Sequence, residues 1–160
     1  MMAYKRFTIS SIFFLASFMV LYACAQKKVY TVGQPGAHSA SLTFPNFIQI
    51  RSFDGDSVEN MFTRIIYEGK KELVFAAGTH TVEMRYKDIW DIDDDDHEDV
   101  TSPYITLRFD AIAGHAYEIR VAAPQNRQGA HKLASRFAPH IIDVRSKERA
   151  SLPVEGARTD

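Results

Sequence analysis

Apolar and polar positions alternate with a period of two along most of the chain. In "THTVEMRYK", residues 79 to 87, His80, Val82, Met84 and Tyr86 fall on one face and Thr81, Glu83, Arg85 and Lys87 on the other. This is the pattern of a half-buried antiparallel strand. Ile105, Leu107 and Phe109 alternate with Thr106 and Arg108, and Tyr117, Ile119 and Val121 with Glu118 and Arg120. Earlier runs at Phe47 to Phe53 and around Ile65, Ile66, Leu73, Val74 and Phe75 predict two or three more strands, and "HIIDVR" after Pro139 a last short one. Asp54-Gly55, Glu68-Gly69 and Ala77-Gly78 punctuate the runs as turns. Helical periodicity is weak. Val58, Met61 and Phe62 begin one turn and His131 to Phe137 another, neither long enough to stand without packing. The pattern predicts an all-β, mainly antiparallel fold, a small β-sandwich.

The amino terminus follows a different rule. Lys5 and Arg6 precede an almost wholly apolar run from Phe7 to Val20, the make-up of a secretion signal. It ends in Leu21-Tyr22-Ala23-Cys24, which resembles the lipobox of bacterial lipoproteins, with Tyr22 larger than the pattern's usual residue. Cleavage between Ala23 and Cys24 would leave a lipidated Cys24 as the new terminus. Ala23-Cys24-Ala25 also fits ordinary signal peptidase, giving a soluble protein from Gln26, and an uncleaved Phe7 to Ala25 is about as long as the roughly 20 residues that span a bilayer. Cys24 is the single cysteine and has no disulfide partner within the chain, which favours lipidation.

These features divide the chain into a signal peptide (1–23), a lipidated cysteine and tether (24–45), a sandwich domain (46–145) and a flexible tail (146–160). Ala25 and Gln26 follow Cys24 without the aspartate associated with inner-membrane retention, so an outer-membrane anchor facing the periplasm is expected. Soluble periplasmic or secreted forms and an inner-membrane anchor are the alternatives.

Charge narrows the partners. With 160 residues and a formal net charge of −1, the chain is sized for one domain and lacks the basic footprint of a nucleic-acid binder. One segment breaks the balance: "DIDDDDHED", residues 91 to 99, holds seven carboxylates and one histidine. Asp91, Asp93 and Asp95 imitate the first ligand positions of a calcium loop, but Asp96 stands where that loop needs glycine, and Ser102 where it needs glutamate. An EF-hand is therefore excluded, and a looser calcium site on Asp91, Asp93, Asp95 and Asp96 is the remaining metal expectation. In its simplest form the run is the solvated tip of a long connection between a strand ending near Ile89-Trp90 and one beginning near Tyr104.

"HTVEMRY" from His80 and "HAYEIRV" from His115 share His, Glu and Arg at equal spacing, each just after a glycine. Two histidines at neighbouring strand starts, helped by His97 or His140, would suit a zinc site, although strands that follow glycine turns often look alike. No G-x-S-x-G elbow, H-E-x-x-H helix or phosphate loop is present, so no catalytic residue and no cofactor is assigned.

"GTHTVEMRY", "SPYITLRF", "AGHAYEIRV" and "FAPHIIDV" resemble segments of the small envelope proteins of the YccT-like family, and share some rhythm with PEGA-like carbohydrate-surface sandwiches. The resemblance covers roughly Phe47 to Val144 and implies an exported β-rich domain without assigned catalytic residues. Together these features predict a lipid-anchored, non-catalytic envelope domain that meets a protein partner through exposed strand edges. A calcium-binding module and a soluble secreted protein of the same fold are the alternatives.

Overall fold

A computed structural model describes residues 28–34, 36–59, 69–93 and 95–153. Among these described residues the elements are, in order, β1 (Lys28–Thr31), β2 (Ser39–Pro45), β3 (Ile48–Phe53), β4 (Asp56–Ser57), β5 (Lys70–Ala76), β6 (Gly78–Asp91), β7 (His97–Thr101), β8 (Ile105–Ala111), β9 (Ala116–Arg120), α1 (Arg127–Ser135), β10 (His140–Asp143) and β11 (Ser151–Pro153). One sheet runs β1-β5-β2-β9-β10 and the other β11-β8-β6-β3-β4, with β7 added beside β6. Most pairings are antiparallel; β1 with β5 and β2 with β9 are parallel. The all-β expectation holds.

The two sheets pack face to face because alternate residues of their strands are apolar. Ala40, Leu42 and Phe44 of β2, Leu73 and Phe75 of β5 and Tyr117 and Ile119 of β9 meet Ile48, Ile50 and Phe53 of β3, Val82 and Met84 of β6 and Leu107 and Phe109 of β8. Each fully buried Leu, Ile or Phe contributes about 1.5–3 kcal/mol. Phe53 lies against Phe75 and Phe109 against Tyr117, so β3 faces β5 and β8 faces β9. Ile141 of β10 donates its amide to Ser151 Oγ of β11 at 2.8 Å, closing that side. The β1 edge and the β11 edge therefore lie on opposite sides of the sandwich.

Asp54 and Gly55 both have positive φ, 53° and 86°, as a two-residue hairpin turn requires. Here the turn predicted at Asp54-Gly55 joins β3 to β4.

Three boundaries differ from the sequence expectation. The segment 24–45 is not a tether throughout: β1 and β2 lie within it, and β2 supplies buried Ala40, Leu42 and Phe44. Its serines and threonines alternate with those apolar residues, so a polar composition concealed a strand. The tail expected from Ser146 is ordered through Pro153, because Ser151 to Pro153 pair with β8 and Ser151 is buried. Strand β6 continues unbroken to Asp91 and returns as β7 from His97, so half of the acidic run is strand rather than loop.

The turn expected at Met61 and Phe62, the strand around Ile65 and Ile66, and the signal segment with Ala23 and Cys24 lie outside the described residues.

Candidate functional site

Two aspartate–histidine pairs occupy the end of the sandwich where β6 and β9 begin. His80 is nearly buried among the rings of Phe53, Phe75 and Phe109. Its Nδ1 donates to Asp54 Oδ2 at 2.7 Å, and its Nε2 lies 2.9 Å from the Ala76 carbonyl oxygen. The other oxygen of Asp54 accepts the Thr81 amide at 2.7 Å, so one carboxylate ties the β3–β4 turn to the start of β6.

His115 repeats the arrangement on the other sheet. Its Nδ1 donates to Asp143 Oδ2 at 2.6 Å, while Asp143 Oδ1 accepts the amides of Arg145 and Ser146. The hydrogen bond from His115 holds the Asp143 carboxyl below its ordinary range, with the two amides helping against burial. His115 Nε2 stands 3.4 Å from Arg145 Nη1.

The repeated His-x-x-Glu-x-Arg spacing thus has a physical source. Each histidine follows within two residues of a glycine of positive φ, Gly78 or Gly114, and is held by a carboxylate remote in sequence, Asp54 from the β3–β4 turn or Asp143 from the end of β10. Strands β6 and β9 belong to different sheets, so the two histidines are not at neighbouring strand starts. The chain of rings His80, Phe109, Tyr117 and His115 separates them through the core. His97 is in the acidic hairpin, and His140 starts β10 at the end away from His115. Among the described residues, no three of His, Cys, Asp and Glu form a group suited to a metal ion.

The acidic candidates are spread along the hairpin. Asp91 Oδ1 is 2.9 Å from His97 Nδ1 across the β6–β7 pair, and Asp93 Oδ1 accepts the Asp95 amide at 3.1 Å. Asp96 contributes its carbonyl, which accepts the Ile92 amide at 2.8 Å. Asp94 is outside the described residues.

The hairpin itself is the distinctive feature. Tyr86 is the last residue of β6 to pair with β3; from Lys87 onward β6 pairs with β7 and leaves the sandwich as a two-stranded arm. Two-stranded ribbons are marginal alone. Helix α1 supplies the missing support, packing Ala130 and Ala134 against Tyr86 and Val100, with Trp90, Leu133 and Phe137 around them. Trp90 Nε1 donates to Tyr86 Oη at 3.0 Å, and Glu98 lies 3.2 Å from His131 and 3.8 Å from Arg127 of α1. Burial pushes the Tyr86 hydroxyl and the Asp88 carboxyl above their ordinary values. Beyond this support the arm exposes Ile89 (61%) and Ile92 (46%) beside its carboxylates.

On the outer face of the β3–β6–β8 sheet, the guanidinium groups of Arg51 and Arg85 lie 5.0 and 4.6 Å from the Tyr104 ring centre. Gln49 accepts from Arg85 Nε and donates to Glu59. This array satisfies itself.

Asp54, Asp143 and the Tyr86–Trp90 contact were missed by sequence reasoning. Tyr86 and Trp90 are separated by four positions in a period-two run, which puts them on one face, and that signal was available. The pairing of each histidine with a carboxylate distant in sequence had no local signal.

Residues 41–158 match the family model described as "Uncharacterized protein conserved in bacteria (DUF2057)". The chain belongs to this family. No curated protein and no solved structure matches it. The family match begins within β2 and runs through β11, including both aspartate–histidine pairs and the arm.

Proposed function

We propose that this member of the family is a lipid-anchored cell-envelope protein that acts as a non-catalytic binding domain, with the β6–β7 arm as its contact element. The observation that carries the contact role is the arm's exposure. It leaves the sandwich, bares Ile89 and Ile92, and among the described strands β7 pairs with β6 alone, leaving its outer edge unclaimed by another strand. Such an edge suits a partner's extended segment, whose main-chain hydrogen bonds give affinity while alternate side chains give specificity. The carboxylates of the arm discourage indiscriminate edge pairing and favour a partner bearing basic residues. Anchoring is supported by the Leu21-to-Cys24 motif and by the likeness to YccT-like envelope proteins, with the outer membrane facing the periplasm as the expected site.

A non-catalytic role is supported by the aspartate–histidine pairs, whose contacts tie turns to strands. The test is site-specific photocrosslinking in intact cells. A crosslinker replacing Ile89 or Ile92 is expected to give a discrete protein adduct that one replacing the exposed Ser57 of β4 does not give. Adducts from none of these positions would overturn the contact role.

A further inference from the structure

The sandwich begins almost at the anchor. Lys28 already pairs with Lys71 as the first residue of β1, and only Ala25, Gln26 and Lys27 separate it from Cys24. At the limit of covalent geometry, about 3.5 Å per residue, these four steps reach about 14 Å. The opposite edge of the five-stranded sheet, β10, is four strand spacings from β1, or about 19 Å. The leash is thus shorter than the sheet is wide.

Resting on the anchoring reading above, we infer that the β1 edge lies on the bilayer surface when Cys24 is lipidated, so that the lipid fixes the domain's orientation rather than merely its address. Charge decides which side settles. Lys27 and Lys28 are adjacent in sequence at the entry to β1, Lys28 is in register with Lys71, and exposed Val29 (54%) is in register with Glu72 on the same edge, so lysines outnumber acids there. An anionic headgroup layer attracts that corner. Further along this end of the sheet Glu118 pairs with both Lys70 and Arg120.

The arm leaves from this end too, since β2 turns through Asn46 and Phe47 into β3 and the Ile48–Tyr86 pair marks where the arm departs. Its Asp91, Asp93, Asp95, Asp96, Glu98 and Asp99 are repelled by the same anionic surface. Standing the sandwich upright would drive them into the headgroups. Laying it on β1 carries the arm alongside the membrane, where its open edge faces molecules at the bilayer surface, and turns β11 away from the lipid.

Tryptophan quenching by lipid reads the orientation. In a Trp90→Phe background, Val29→Trp and Leu152→Trp place single reporters on opposite exposed edges, Leu152 being 71% exposed. The acylated proteins, purified from membranes, are reconstituted into vesicles of brominated phosphatidylcholine and phosphatidylglycerol. Because the two reporters sit on opposite sides of a sandwich whose five-stranded sheet is roughly 19 Å wide, and quenching by bromine falls steeply with distance, we expect about threefold stronger quenching at position 29 than at 152. Inserting twelve Gly/Ser residues between Lys27 and Lys28 should abolish the difference. Equal quenching in proteins whose mass shows acylated Cys24 would overturn the orientation alone; absence of acyl groups on Cys24 would overturn the anchoring and the orientation with it. Circular dichroism of each variant, matching the parent, identifies the folded samples to which these outcomes apply.

Discussion

Trp90 donates its indole N–H to the hydroxyl of Tyr86, four residues back on the same face of β6, at 3.0 Å. The bond sits where the strand leaves the sandwich, and Tyr86 is fully buried beneath α1. Arm, helix and sandwich are therefore joined through one side chain. Tyr86→Phe removes the acceptor while keeping the ring, and should cost about 1 kcal/mol in urea unfolding. Tyr86→Ala should cost about 3–5 kcal/mol and speed amide exchange in β7. Equal losses for the two variants would contradict the role given to the ring.

Helix α1 begins at a side-chain cap. Asn126 Oδ1 accepts the Gly129 amide at 2.8 Å. Asn126→Ala is expected to cost about 1 kcal/mol. Amide exchange should rise in α1 and in β7 together, because the helix covers the arm; a rise confined to α1 would separate them.

Much of the sandwich was legible from the period-two runs, as at Val82, Met84 and Tyr86 or Leu107 and Phe109, because burying one sheet face demands that alternation. Short edge strands were not. β1 offers four residues and β11 three, and their places are set by partners in β5 and β8 rather than by local pattern. β7 was hidden for a related reason. Its single buried residue, Val100, sits among charged neighbours, and its strand state comes from pairing with β6 under α1. Of the candidate residues, His80 and His115 were found by their echo, whereas Asp54 comes from a turn and Asp143 from the end of β10, both remote in sequence.

The order of the chain beyond Ser146 rests on Ser151. Its buried hydroxyl accepts the Ile141 amide at 2.8 Å. Ser151→Ala leaves that buried N–H without this acceptor and should cost about 1–3 kcal/mol. A variant as stable as the parent would show that the β10–β11 closure contributes little.

Acid should reveal the Asp143–His115 pair. The carboxyl of Asp143 is held below its ordinary value of 3.8, chiefly by the His115 hydrogen bond. A depressed folded value means that the stabilisation is present above 3.8 and is lost as pH falls below it through the folded value. Asp143→Asn should therefore be less stable than the parent at neutral pH and show a shallower decline in urea midpoint below pH 3.8. Parallel acid profiles for the two proteins would contradict this.

The most direct test of an envelope-anchored binding domain is the intact mass and amino-terminal sequence of the protein recovered from fractionated cells of its native host. Recovery from the membrane fraction with Cys24 as the first residue, carrying a mass increment equal to a diacylglyceryl group with or without an amide-linked acyl chain, is the predicted result. A soluble protein beginning at Gln26, or a membrane protein retaining residues 1–23, would contradict it.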